Sequence, residues 1–123
     1  MTSLLGTPHC PDFTSAVLLL EDVNEPPYRI DRMLTQLKLA GILDRLGGVV
    51  LGHFVNGDGT DISEEVERIV MELVQGSPIP VISGYPHGHV LPNLTVPIGA
   101  IVELDTELPC LTVRAPGSTK MRA

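Results

Sequence analysis

A chain of 123 residues is one domain's worth, long enough to bury a core and too short for two. Fifteen acidic against eight basic residues give a formal net charge of −7, which leaves no basic stripe to neutralise a run of phosphates and argues against nucleic acid as a partner. No apolar run reaches membrane-spanning length, and the opening MTSLLGTPHCPDF has neither a basic leader nor a long apolar segment, so the sequence reads as a cytoplasmic protein with no membrane partner.

Taken in order, SAVLLLED is a short continuous apolar run ending in two acids, the pattern of a strand buried on both faces of a sheet. In NEPPYRIDRMLTQLKLAG two prolines suit a helix's first turn, and Ile30, Met33, Leu34 and Leu37 recur at steps of three and four until Gly41 ends the pattern. GGVVLGHF reads as a second buried strand. NGDGTDISEEVERIVMELVQG follows as a turn, an Asp61 cap with Glu64 three residues on, and a second helix carrying Ile62, Val66, Ile69, Val70 and Leu73 inward. PIPVISGY reads as a third strand. Strands alternating with helices build a mainly parallel layer through crossover connections. After the stretch GYPHGHVLPNLTVPIG the pattern changes: GAIVELD and CLTVRA alternate as two antiparallel strands joined by TELP, and PGSTKMRA reads as a frayed tail. Cys10 and Cys110 lie far apart, match no zinc or redox spacing, and read as idle or buried thiols without a disulfide.

On that map Glu21 and Asp22 sit where the first strand ends, His53 just after the second, and His87 and His89 just after the third. Ligand crevices of open parallel sheets lie beyond the carboxyl ends of the strands, so these residues are expected to share one edge. Three readings of the two histidines compete: metal ligands, a catalytic histidine beside a bystander, or polar residues on a surface loop. A lone H-x-H pair without further clustered ligands is a weak metal signal. Asn56, Asp58, Thr60 and Glu67 mimic a calcium loop, but the required sixth-position glycine is Asp61, so a turn and helix cap explains that stretch better. The catalytic reading needs a histidine that moves a proton and a carboxylate that fixes its tautomer. Glu21 and His89 qualify by type, yet an acid at a strand end is often no more than a solvated turn residue.

Two longer motifs separate these readings. LLLEDVNEPPYRIDRMLTQLKLAG resembles the stretch LEDxxExPYxIDRxLxQL of the LD-carboxypeptidases and the related microcin self-immunity peptidases, a family of serine peptidases. GHVLPNLTVPIGA is similar to that family's later G-H-x-x-x-N element and its LPxGA segment, and the resemblance runs from LLGTP to about LTVRA. It implies a serine, glutamate and histidine triad in which Glu21 and His89 supply the glutamate and histidine, with no cofactor and no metal. His87 matches no invariant family position and becomes the bystander. Asn93 is expected near the site as a loop-fixing or substrate-binding amide, while Arg29, Asp31 and Arg32 read as a salt-bridged scaffold.

Family members carry a further N-terminal domain that holds the nucleophilic serine and the oxyanion hole. None of the six serines here sits in a strand-to-helix elbow that would expose a hydroxyl to a base. The sequence therefore reads as the family's C-terminal domain alone: residues 1–15 a remnant of the interdomain linker, 16–114 the domain, 115–123 a flexible tail. Its expected partners are the N-terminal nucleophile domain, a murein peptide substrate and, through the face left uncovered, a second copy in a homodimer. As a complete enzyme the resemblance implies removal of the terminal D-alanine from murein tetrapeptide, with the fragment inactive alone. The self-immunity relatives, which cleave a carboxamide in peptidyl or aminoacyl nucleotides, are the alternative, and a non-enzymatic binding or metal module is the other class. The expected fold is α/β, a compact unit of about three crossover strands, two main helices and a C-terminal β-hairpin. The resemblance likens it to a swivelling β/β/α domain.

Overall fold

The computed structural model describes residues 1–114; the tail read at 115–123 lies outside them. The elements run β1 (Val17–Val23), α1 (Pro27–Leu39), β2 (Gly48–Val55), α2 (Ser63–Leu73), β3 (Val81–Ile82), β4 (Ile101–Asp105) and β5 (Cys110–Arg114), with single 3-10 turns at Thr2–Leu4 and Leu43–Arg45. The first three strands form a parallel sheet in the order β1-β2-β3, and β4 and β5 form a separate antiparallel pair. The fold is thus α/β with three parallel strands, two helices and a C-terminal hairpin, as the periodicities predict.

Both crossovers step the same way along the sheet, which brings α1 and α2 to one face, where they pack on each other. Helix α1 begins at Pro27, whose missing N–H costs nothing in a first turn, and ends before Gly41, which takes the left-handed φ of +69°. Its buried residues Ile30, Leu34 and Leu37 are three of the four that the spacing selects, and Met33 packs at the margin. Val66 and Val70 of α2 complete this layer against Val49, Leu51 and Phe54 of β2. The opposite face is covered by a smaller cluster of Val50, Tyr85 and Leu111, with Leu94, Val96, Val102 and Leu104 around it. The loop after β3 and the hairpin therefore form a third layer.

Four sequence expectations change in detail. The apolar run predicts a first strand buried on both faces, but among the described residues β1 is a sheet edge with β2 as its one strand neighbour, and only Leu18 of it is buried. Its alternation still serves both layers: Leu18 and Leu20 meet the helices, Val17 and Leu19 the smaller cluster. The third strand contracts to Val81–Ile82, because Pro78 and Pro80 lack ladder donors and Gly84, at φ +69°, turns the chain away. Asp61, the expected cap, stands one residue before the observed cap position. The N-cap is Ile62, and Asp61 Oδ1 accepts the Ser63 N–H at 2.8 Å; the Ser63 side chain first and that N–H second hold the Asp61 carboxyl below its ordinary range. Residues before 16 are also packed, with Phe13 in the helix-side core and Leu5 and Cys10 against it.

Candidate functional site

Glu21 reaches the site through an irregularity in the sheet. The β1–β2 register runs Leu19↔Val50 and Leu20↔Leu51, then resumes at Asp22↔Phe54, so Gly52 and His53 together oppose the single residue Glu21. This is a β-bulge on β2, a device that bends a strand and re-aims the side chain facing it. It also absorbs a change of parity, which lets Leu51 and Phe54, three residues apart, both enter the helix-side core.

The bulge provides a seat for the histidine loop. His53 N–H donates to His87 O at 3.0 Å, and Gly52 leaves that carbonyl room: a Cβ built on Gly52 would lie 2.5 Å from His87 O and 3.2 Å from Glu21 Cβ. The next residue, Gly88, has φ +124°, a conformation that strongly favours glycine. A Cβ there would lie 3.1 Å from Glu21 Oε2 and 3.2 Å from His53 O. Two glycines thus let three backbone segments close around the Glu21 side chain.

Beyond Gly88 the loop is closed by hydrogen bonds of its own. Leu94 N–H donates to Pro86 O at 2.8 Å, His87 Nδ1 lies 2.9 Å from Leu94 O, and Asn93 Oδ1 accepts Gly88 N–H at 3.4 Å. Within this closed loop His89 Nδ1 meets Glu21 Oε2 at 2.9 Å, across 68 residues of sequence. The Glu21 side chain is 27% exposed and that of His89 59%, so the pair is backed by protein on the carboxylate side and open on the imidazole side. An open cleft of about 410 Å³ runs along it, lined by Glu21, His87, His89, Leu91 and Asn93 among others. With Nδ1–H donated to the carboxylate, Nε2 carries the lone pair, so the imidazole is arranged to accept a proton and to be steadied electrostatically once charged.

The remaining predicted residues distribute as follows. Asp22 lines a second, more apolar cleft of about 400 Å³ with Leu20, Ile30 and Met33, a cleft whose wall Glu21 and His87 share. Burial, then the neighbouring Glu25 and Glu21, push the Asp22 carboxyl above the ordinary range. His53 lines neither cleft. Its backbone holds the loop, while its ring bears electrostatically on Asp61. Arg29 pairs with Glu25 on the surface of α1. Among the described residues no serine lines the His89 cleft, and Ser63 Oγ accepts the Phe54 N–H at 2.9 Å. Asn56 and Asp58 spend their side chains on the N–H groups of Gly57 and Thr60, as a turn requires. Among the described residues no three His, Cys, Asp or Glu side chains are placed to hold a metal ion. Cys10 and Cys110 are free thiols.

The bulge and the tie between His87 and Leu94 were missed in the sequence. Gly52 interrupting an otherwise continuous apolar strand is the signal that could have pointed to the bulge. No local pattern announces the tie.

Comparison with known proteins gives consistent matches. The family model of the LD-carboxypeptidase C-terminal domain matches residues 1–104. The murein tetrapeptide carboxypeptidase of Pseudomonas aeruginosa is 33% identical over 105 residues, covering 85% of this chain and 34% of that protein. The crystal structure of muramoyltetrapeptide carboxypeptidase from Oxalobacter formigenes superposes with a TM-score of 0.63 at 33% identity, over 94% of this chain and 39% of that one. The microcin C7 self-immunity protein MccF, in its wild-type apo state, gives a TM-score of 0.78 at 23% identity over 94% of this chain and 35% of its own, a likeness of fold. The chain spans about a third of the length of the curated relatives it matches.

Proposed function

The chain belongs to the LD-carboxypeptidase C-terminal domain family, and from that premise we propose that Glu21 and His89 are the carboxylate and the general base of a serine-type peptidase acting on murein tetrapeptide in the cytoplasm. The observation that carries this reading is the 2.9 Å contact between His89 Nδ1 and Glu21 Oε2 at the wall of an open cleft. The nucleophilic serine and the oxyanion donors come from an N-terminal nucleophile domain, the partner of this one.

In that enzyme His89 Nε2 takes the serine hydroxyl proton as the serine oxygen bonds to the carbonyl carbon before the terminal D-alanine. The tetrahedral adduct collapses with cleavage of the C–N bond, and the imidazolium returns the proton to the departing amine. Water then enters by the same route in reverse, giving up a proton to His89 and releasing the acyl group from the serine. Through both halves Glu21 holds the ring in the Nδ1–H tautomer and stabilises its charged form. Neither residue selects the substrate, so cleavage of a carboxamide in a peptidyl or aminoacyl nucleotide by the same pair is the second reading.

The test is D-alanine release from murein tetrapeptide. This chain alone is expected to release none. Joined to a nucleophile-bearing N-terminal domain it is expected to turn over, with His89→Ala and Glu21→Gln each lowering kcat by about 10⁴. Full activity of the joined protein carrying His89→Ala would overturn the assignment, and turnover of an aminoacyl nucleotide without D-alanine release would select the second reading.

A further inference from the structure

We propose that His87 is the positioning residue of the site: its imidazole closes the loop that carries His89 and so holds the His89 ring against Glu21. The inference rests on the reading of Glu21 and His89 above only for its catalytic consequence, since the contact it explains is a geometric one.

His87 is attached at two points, on opposite sides of the loop. Its backbone carbonyl accepts the N–H of His53 at 3.0 Å, in the space that Gly52 leaves open, and this fixes the start of the loop to the bulge of β2. Its Nδ1 lies 2.9 Å from the carbonyl oxygen of Leu94, seven residues on, which fixes the end of the loop to the start. A carbonyl can only accept, so the ring nitrogen facing it must carry the proton, and His87 is held as the Nδ1–H tautomer. Among the described residues Leu94 N–H also donates to Pro86 O across the same neck, and at 3.4 Å the Gly88 N–H to Asn93 Oδ1 bond is long.

His89 needs this support because little else confines it. Its side chain is 59% exposed, and of the two residues that follow it Val90 is half-buried and Leu91 94% exposed. One surface hydrogen bond to a carboxylate contributes little against the freedom of an unanchored loop. The geometry of the reacting ring is therefore set two residues away, by a histidine that takes no part in proton transfer.

The test reads the imidazoles themselves in this chain, by ¹⁵N ring shifts at about pH 8.5, well above the usual histidine range. In the unaltered chain His87 is expected as the Nδ1–H tautomer; finding Nε2–H there would remove the Leu94 bond and end the proposal without any variant. His89 is expected as Nδ1–H as well, held so by Glu21. His87→Phe keeps the ring and deletes the donor, and with His87→Ala it should return His89 to the Nε2–H form that free histidine favours, with the amide spectrum of the sheet unchanged. His87→Asn, whose amide nitrogen can stand near the Nδ1 position, should retain the Nδ1–H form. If the alanine variant does not fold, the phenylalanine and asparagine pair decides. Retention of the His89 tautomer in His87→Phe, or its loss in all three variants alike, would refute the role of the hydrogen bond. Because this readout needs no substrate, it stays distinct from failure of the peptidase reading, which the D-alanine assay reports.

Discussion

Gly52→Ala is the sharpest single perturbation of this site. A Cβ at that position would fall 2.5 Å from His87 O and 3.2 Å from Glu21 Cβ, where ordinary contact begins near 3.4 Å, so the carbonyl must retreat by roughly 0.5 to 0.9 Å. Its hydrogen bond from His53 N–H, 3.0 Å long, would stretch beyond useful length. Losing that bond in a half-buried setting costs about 1–2 kcal/mol, and crowding the bulge costs about as much again, for a total of about 2–4 kcal/mol. For a domain of this size each kcal/mol moves Tm by about 3–5 °C, so a fall of about 10 °C is expected in a calorimetric scan. Hydrogen exchange should show the His53 amide losing its protection while Val49 and Val50 keep theirs. On the proposed role of His89, the displaced loop would carry the base with it in a complete enzyme, and a misplacement of about 1 Å is worth about 100-fold in kcat. A Tm within about 2 °C of the parent, with the His53 amide still protected, would mean that the seat yields easily and that the reasoning from close contact is wrong.

Three further outcomes are expected. Gly88→Ala forces a side chain into φ +124° with its Cβ 3.1 Å from Glu21 Oε2, so it should cost about 1–3 kcal/mol in urea unfolding and disturb the His89 ring signals. The raised Asp22 pKa means that its contribution to stability is fully present below the unfolded carboxyl value and is lost as pH rises through the folded one. Asp22→Asn should therefore be more stable than the parent near neutral pH and lose that advantage at about pH 3; an equal difference at both would refute the assignment. Leu37→Ala, at a side chain 1% exposed where α1 meets the sheet, should cost about 2–5 kcal/mol by the same unfolding measurement, and a cost below about 1 would contradict the packing described.

Much of the architecture could be read from periodicity. The three-and-four spacing of Ile30, Met33, Leu34 and Leu37 and the alternation of β4 and β5 are local signals, and each produced its element. What failed was non-local. Nothing within SAVLLLED says whether a second strand lies on its far side, so the edge position of β1 was invisible. PIPVISGY has the apolar content of a strand, but its prolines leave only Val81 and Ile82 for the ladder. The pairing of Glu21 with His89 entered through a resemblance of long motifs; composition and spacing alone left three readings open. His87 reads as a bystander because it matches no invariant family position, and its bond to the Leu94 main-chain oxygen could not be seen in advance, since a carbonyl has no letter in the sequence. The offset at Gly52 and His53 was likewise hidden, since a strand with one residue too many looks the same as a strand one residue longer.

That offset limits how the pair could be transplanted. Up to Leu20 and Leu51 the two strands keep step, and past Asp22 and Phe54 they keep step again, so the acidic side chain stands at a dislocation between two regular lattices. Copying Glu21 and His89 onto a flawless parallel sheet would place the carboxylate opposite a single residue, with no gap for the carbonyl that seats the loop. A working graft would have to carry the surplus residue along with the carboxylate and the imidazole that it brings together.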